Sequence, residues 1–191
     1  MAKDIFVVGL CGSRRQGSFT HVALQRAISG SQDAGAATAI YSLQSLDVPP
    51  FSPESPPTDD VTMLTDQLQR ADAILLGTPV YHGSYSGVLK NAIDHCGFDE
   101  FADKTVGLLA IAGGRFPVTA LEHLRSVCRA LNAWVLPYEA AIPQSSETFH
   151  DGEIIEPLYA ERVDELGQRL VEYAIIKPHQ ASFEGDENVG G

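Results

Sequence analysis

IFVVGL at residues 5–10, followed by CGSRRQGS at 11–18 and FTHVALQRAI at 19–28, is the stretch on which the fold turns. The first six residues are a continuous apolar run, β-branched at Ile5, Val7 and Val8, which suits a strand covered on both faces of a parallel sheet. The last ten place Val22, Ala23, Ala27 and Ile28 at helical spacing, with Ser18 or Thr20 as the N-cap. Strand, loop and helix therefore follow in order.

The alternation continues downstream. TAIYSL at 38–43 reads as a second strand, and VPPFSPESPPTDD at 48–60 carries five prolines, so it is a surface loop. A helix over 62–71 leads to a third strand, AILLG at 73–77. In the next segment, Val88, Leu89, Ala92, Ile93 and Cys96 share one helical face over 87–96, with Lys90 and Asp94 as an i, i+4 pair. TVGLLAIA at 105–112 is strand four, Val118 to Leu131 mark an amphipathic helix, and AWVL at 133–136 is strand five. A final helix spans 158–176 with Pro157 at its start, and the Gly- and acid-rich residues 177–191 read as a frayed tail. The expected organisation is one domain over 1–176 plus that tail.

Five apolar strands alternating with helices imply an α/β protein, a parallel sheet with helices on both faces, because parallel neighbours need right-handed crossovers. In such a doubly wound sheet ligands sit beyond the carboxyl ends of the strands. For the order 2-1-3-4-5 the switch point lies between strands one and three. That directs attention to three loops, at 12–20, 78–86 and 113–116.

Bulk properties narrow the function classes. The 191 residues carry 25 Asp and Glu against 13 Lys and Arg, a net charge of −12, which disfavours binding to a phosphate backbone and makes nucleic acid an unexpected partner. Hydrophobic usage of 44% is ordinary for a globular chain, and no run approaches the roughly 18 apolar residues of a membrane span, so a cytoplasmic protein without membrane contact is expected. Cys11, Cys96 and Cys128 are scattered without metal-ligand spacing. They read as small apolar residues in a reducing compartment, and no metal site is expected.

The first loop, GSRRQGSFT, sets two glycines, two arginines and several hydroxyls between a buried strand and a helix N-terminus, a composition suited to an anion. Gly12 and Gly17 let backbone amides turn toward a ligand, Ser13, Ser18 and Thr20 can donate hydroxyl hydrogen bonds, and Arg14 or Arg15 can add a charge-assisted contact. The loop is neither GxxxxGK[ST] nor GxGxxG, and a glycine-rich turn with solvated arginines is the bland alternative. The second loop, TPVYHGSYSG, suits a flat ring: Tyr81, His82 and Tyr85 can cover or edge it, and free amides near 81–84 can meet its polar atoms. With no partner carboxylate visible, His82 is expected to line such a ring without acting as an essential acid or base.

These two segments carry a resemblance. The first loop is similar to the GSxRxxSxN pattern of the NADPH-dependent FMN reductase family, and TPVYHGSYSGVLKNAIDHCG resembles that family's TPxYxGSxxGxLKNAID segment, over about residues 5–136 in all. The resemblance implies a flavodoxin-like three-layer sandwich with a five-stranded parallel sheet. It implies that Ser13, Arg15, Ser18 and Thr20, with Phe19 between them, hold the phosphate of FMN. Pro79, Val80, Tyr81, His82, Gly83 and Ser84 would contact the edge of the flavin ring, and Gly113, Gly114 and Arg115 would approach its other side or its pyrimidine end. Thr20 stands where the family often has Asn, and Val80 and His82 replace its common Glu and Asn. Lys90 and Asn91 in the LKNAID stretch are better read as helix packing than as catalytic groups.

The implied activity is transfer of hydride from NADPH or NADH, through the flavin, to a small-molecule acceptor such as free flavin or a quinone, with no catalytic side chain required. A homodimer or homotetramer is implied as well. The alternative is a flavodoxin-type electron carrier with the same cofactor and no nicotinamide turnover, and a flavin-free binding protein ranks below both.

Overall fold

The apolar run near the start of the chain becomes β1 (Phe6–Cys11) in the computed structural model, which describes residues 5–176. The expected tail at 177–191 lies outside the described residues. Then follow α1 (Phe19–Asp33), β2 (Ala37–Ser42), α2 (Asp59–Arg70), β3 (Ala73–Pro79), α3 (Gly87–Asp94), the single turn α4 (Phe98–Phe101) and β4 (Thr105–Ile111). The remainder is α5 (Val118–Ala130), β5 (Trp134–Val135), β6 (Ala140–Ile142), the turn α6 (Ser145–Thr148), a small hairpin of β7 (Phe149–His150) and β8 (Glu153–Ile154), and α7 (Pro157–Ile175).

The sheet order is β2-β1-β3-β4-β5, every pairing along it parallel, as the strand pattern predicts. β4 is buried at every residue, and one side chain in two feeds each of two cores. On one face Val7, Leu75 and Leu109 meet α1 and α7, and on the other Val8, Ile74, Leu76, Leu108 and Ala110 meet α2, α3 and α5. The three layers follow from that double burial. No helix among the described residues is long and apolar enough to cross a membrane.

The fifth position of the sheet differs from the expected single strand. β5 pairs with Thr105 and Val106 of β4, and β6 with Leu109 to Ile111, so the edge partner is two short pieces and the sheet counts six strands. Pro137 lies in the interruption, where a residue without an N–H cannot donate to a ladder. The hairpin was not expected either, although its turn is Asp151-Gly152, with φ of 47° and 80°, a strong local hairpin signal.

Helix α1 is locked to α7 along its second half. A Cβ on Gly167 would lie 1.8 Å from the carbonyl oxygen of Ala27, so only glycine lets the backbones meet there. Ser31 Oγ donates to Gly167 O at 2.8 Å, and Arg26 forks onto the carboxylate of Asp164 at 2.7 and 2.6 Å.

The proline-rich loop is pinned by α3. Asn91 accepts from Phe51 N at 2.8 Å and donates to Pro49 O at 2.8 Å, and His95 Nε2 lies 2.9 Å from the same carbonyl. That accounts for Asn91 as a structural residue, while Lys90 pairs with Asp94 along the helix. All three cysteines are free. Burial pushes the Cys128 thiol up to about 12, and burial, helped by the charges of Glu100 and Asp94, does the same for Cys96, so neither is a nucleophile near neutrality.

Candidate functional site

Beyond the carboxyl ends of β1, β3 and β4, the loops that follow these strands enclose a cleft of about 300 Å³. From the first loop it is lined by Ser13, Arg15, Ser18, Phe19 and Thr20. From the second come Pro79, Val80 and Tyr81, and from the third Gly113. Nine of the residues singled out from sequence thus converge on one space. His82, Gly83, Ser84, Gly114 and Arg115 do not line it. Except for Ser84, which is half-buried, they are exposed at its surroundings.

The first loop offers unmet donors. Ser18 is the N-cap of α1 by backbone geometry, yet its side chain makes no capping hydrogen bond and no acidic residue stands in the first turn. The amides of that turn have no partner within the helix, and they carry its partial positive charge. Ser13, Ser18 and Thr20 are buried residues of the lining, while Arg15, which also lines the cleft, is exposed. Gly17 has φ of 61°, in keeping with a turn that aims amides at a ligand. Gly12 serves a different purpose from the expected one: a Cβ there would meet Leu89 Cβ at 2.8 Å and Gly77 O at 3.0 Å, so its smallness lets β1 pass close to β3 and α3.

The second loop is a tight, self-bonded turn. Tyr81 and Ser84 exchange both backbone hydrogen bonds, at 2.9 and 3.0 Å, and His82 and Gly83 between them have φ of 50° and 79°. Positive φ at both central positions is the signature of a type I′ turn, which leaves the central amides unbonded. Hydroxyls fix the turn to its neighbours. Thr78 Oγ1 accepts from Ser86 N at 2.9 Å, Ser86 Oγ donates to Gly12 O at 2.6 Å, and Ser84 Oγ lies 2.9 Å from His123 Nδ1 on α5.

The third loop is held from behind. Ser145 N donates to Ala112 O at 3.0 Å and Gln144 N to Gly114 O at 2.9 Å, which brings Ser145 into the lining. Ser145, Ile111 and His123 were not among the residues chosen from sequence. Only β6 pairing beside β4, and α5 packing over it, bring them here. Phe19 is fixed by a stack on Phe149 of the hairpin, with ring centroids 4.6 Å apart.

Charge is segregated at this mouth. Residues 12–20, 78–87 and 112–118 contain Arg14, Arg15 and Arg115 and no Asp or Glu, in a chain with 25 acidic residues. Buried hydroxyl residues, helix amides and a guanidinium from the first loop, together with Pro79, Val80 and Tyr81 from the second, fit an anionic group joined to a flat ring. The same set would repel a cation.

A doubly wound sheet with its ligand cleft at the β1/β3 switch point is a flavodoxin-like architecture. A model of the NADPH-dependent FMN reductase family matches residues 5–147, and the chain belongs to that family. Over 99 residues it is 41% identical to an FMN-dependent NADPH-azoreductase of Staphylococcus aureus, covering 50% of this chain and 53% of that protein. The chain therefore spans about half the length of the curated relatives it matches. Among solved structures, the fold is shared with FerB, a flavoenzyme NAD(P)H:(acceptor) oxidoreductase from Paracoccus denitrificans, at a TM-score of 0.75 and 20% identity, over 91% of this chain and 98% of that one. It is likewise shared with an NAD(P)H:quinone oxidoreductase from Methanothermobacter marburgensis, at 0.66 and 16%, over 88% and 100%.

Proposed function

We propose that this protein is an FMN-dependent NAD(P)H oxidoreductase that takes electrons from NADPH or NADH and delivers them to a small-molecule acceptor: free flavin, a quinone or an azo compound. The observation that carries it is the carboxylate-free cleft at the switch point, lined by the N-terminus of α1, whose side-chain cap is missing, and by Pro79 to Tyr81, which lead into a self-bonded turn. Family membership and the names of the azoreductase relatives support the same function.

In this scheme Ser13, Ser18, Thr20 and the first amides of α1 hold the FMN phosphate, with Arg15 closing on it from the rim. Pro79, Val80 and Tyr81 flank the ring, and the amides of His82 and Gly83 are its polar contacts. The bound flavin supplies the exchange of two electrons with a nicotinamide and then with an acceptor. The chain's part is to orient both ligands and to leave one face free. A Cβ built on Gly83, Gly113 or Gly114 finds no atom within 4 Å, so there is open space for a second planar molecule. That room favours nicotinamide turnover over a carrier that exchanges electrons through an exposed edge. We place the enzyme in the cytoplasm, where its free thiols stay reduced, and as a homodimer or homotetramer.

The test is direct. The purified protein should be yellow or bind added FMN stoichiometrically, and should consume NADPH or NADH when methyl red or menadione is supplied. A protein that binds no FMN removes the proposal. One that binds FMN yet leaves both nucleotides unconsumed is the carrier.

A further inference from the structure

Phe116 is the most exposed large apolar side chain among the described residues, at 79%, and nothing in the fold accounts for it. It sits beside Arg115, also exposed, at the tip of the loop whose Gly113 lines the cleft. The tip is rigidly presented: Gly114 and Ala112 carbonyls are bonded to Gln144 and Ser145, and buried Pro117 follows at once as the N-cap residue of α5. Val118, two residues on, is 51% exposed, and Tyr81, which lines the same cleft as Gly113, is 55% exposed. Arg115 makes no ion pair among the described residues, whereas Arg26, Arg125 and Arg169 are each paired with a carboxylate.

We infer that Arg115 and Phe116 form the docking platform for the adenosine-phosphate half of the nicotinamide nucleotide, Phe116 stacking on the adenine and Arg115 holding a phosphate. This rests on the oxidoreductase function proposed above. The argument for that occupant is charge. A dinucleotide is a polyanion approaching a chain of net charge −12, and of the loops that follow β1, β3 and β4, those at 12–20 and 112–118 bear Arg14, Arg15 and Arg115 and none of the three holds a carboxylate, while Glu147 behind them is bonded to Gln144. Arg15 lines the cleft and is the guanidinium assigned above to the flavin phosphate, while Arg115 stands outside the lining, available to a second ligand. A guanidinium next to an exposed aromatic offers both contacts that an adenosine phosphate needs. Arg115 was expected from sequence at the flavin ring; its exposed position outside the cleft is what moves the assignment outward.

Calorimetric titration of NADP+, NAD+ and 2′,5′-ADP into the FMN-loaded protein tests this without turnover. Arg115→Ala should weaken binding about tenfold, the loss of one charge-assisted contact at an exposed site. Phe116→Ala should weaken it about fivefold, and Arg129→Ala, at the far end of α5, should change nothing. Both variants alter exposed side chains, so melting temperatures should match wild type. A loss confined to NADP+ and 2′,5′-ADP assigns the 2′-phosphate to Arg115, and an equal loss with NAD+ assigns the pyrophosphate; either supports the platform. Wild-type affinity in both variants overturns it and leaves the oxidoreductase proposal standing. So does a Phe116→Ala protein whose oligomeric state changes while nucleotide affinity does not, which would make the rim an interface between copies. A wild-type protein that holds FMN but binds no nucleotide overturns both.

Discussion

Helices α1 and α2 begin in opposite ways. At α2 the Thr58 side chain accepts from Val61 N at 3.2 Å, and Asp59 and Asp60 stand in the first turn, so the helix satisfies its own donors and offsets its own dipole. At α1 Ser18 occupies the same position with an idle hydroxyl, and no acid follows. One N-terminus is closed by its own sequence. The other is left open where three loops converge. The open end is tolerable because α1 draws its stability elsewhere, from the seam with α7 at Gly167 and the Arg26–Asp164 fork. The difference teaches that an incomplete cap becomes informative when the donors around it point into the same space.

The seam is where the contrast breaks most violently. Gly167→Ala drives a methyl group into the Ala27 carbonyl and should cost about 3 kcal/mol, the upper range for overpacking. At this chain length that is a drop of roughly 6 to 12 °C in melting temperature. An unchanged melt would mean that α7 does not anchor α1.

Next in size is the ligand at the open end. Arg15→Ala should weaken FMN binding roughly 10- to 150-fold, as expected for a charge-assisted contact of about 1.5 to 3 kcal/mol, while Arg14→Ala, outside the lining, should do less. Equal and negligible losses in dialysis against apoprotein would remove the phosphate assignment.

The two caps can then be exchanged against each other. Thr58→Ala should lower stability by about 1 kcal/mol, roughly 2 to 4 °C, and leave FMN affinity alone. Ser18→Ala should do the reverse, with stability kept within about 0.5 kcal/mol and FMN held about tenfold more weakly. Should Ser18→Ala melt early instead, its hydroxyl caps the helix after all.

The smallest effect is expected at the turn. His82→Asn keeps a residue that accepts positive φ, and the turn's proposed contribution is its amides, so turnover should stay within about tenfold of wild type. A loss on the order of 10³ would make His82 a proton-transfer group.

Much of this was legible locally. The buried strand runs, the anion loop, the 78–86 segment and the loop at 113–116 depend on nearest-neighbour chemistry, and nine residues chosen from the three loops line one cleft. The Asp151-Gly152 hairpin and the interrupting Pro137 were equally local signals, present in the sequence though not used. His123, Ser145 and Phe149 were of another kind. Each is an unremarkable residue whose partner, Ser84, Ala112 or Phe19, lies tens of residues away.

What the sequence by itself determined was the class of protein: which segments bury both faces, in what order they alternate, and which loop carries donors for an anion. Only the tertiary structure decided which donors remain free, because a hydrogen bond is lost or kept according to what lies opposite it, and strands far apart in the chain choose that. Gly12, read as a ligand glycine, proved to be a packing glycine for that reason: the atoms that forbid its Cβ belong to β3 and α3, more than sixty residues on.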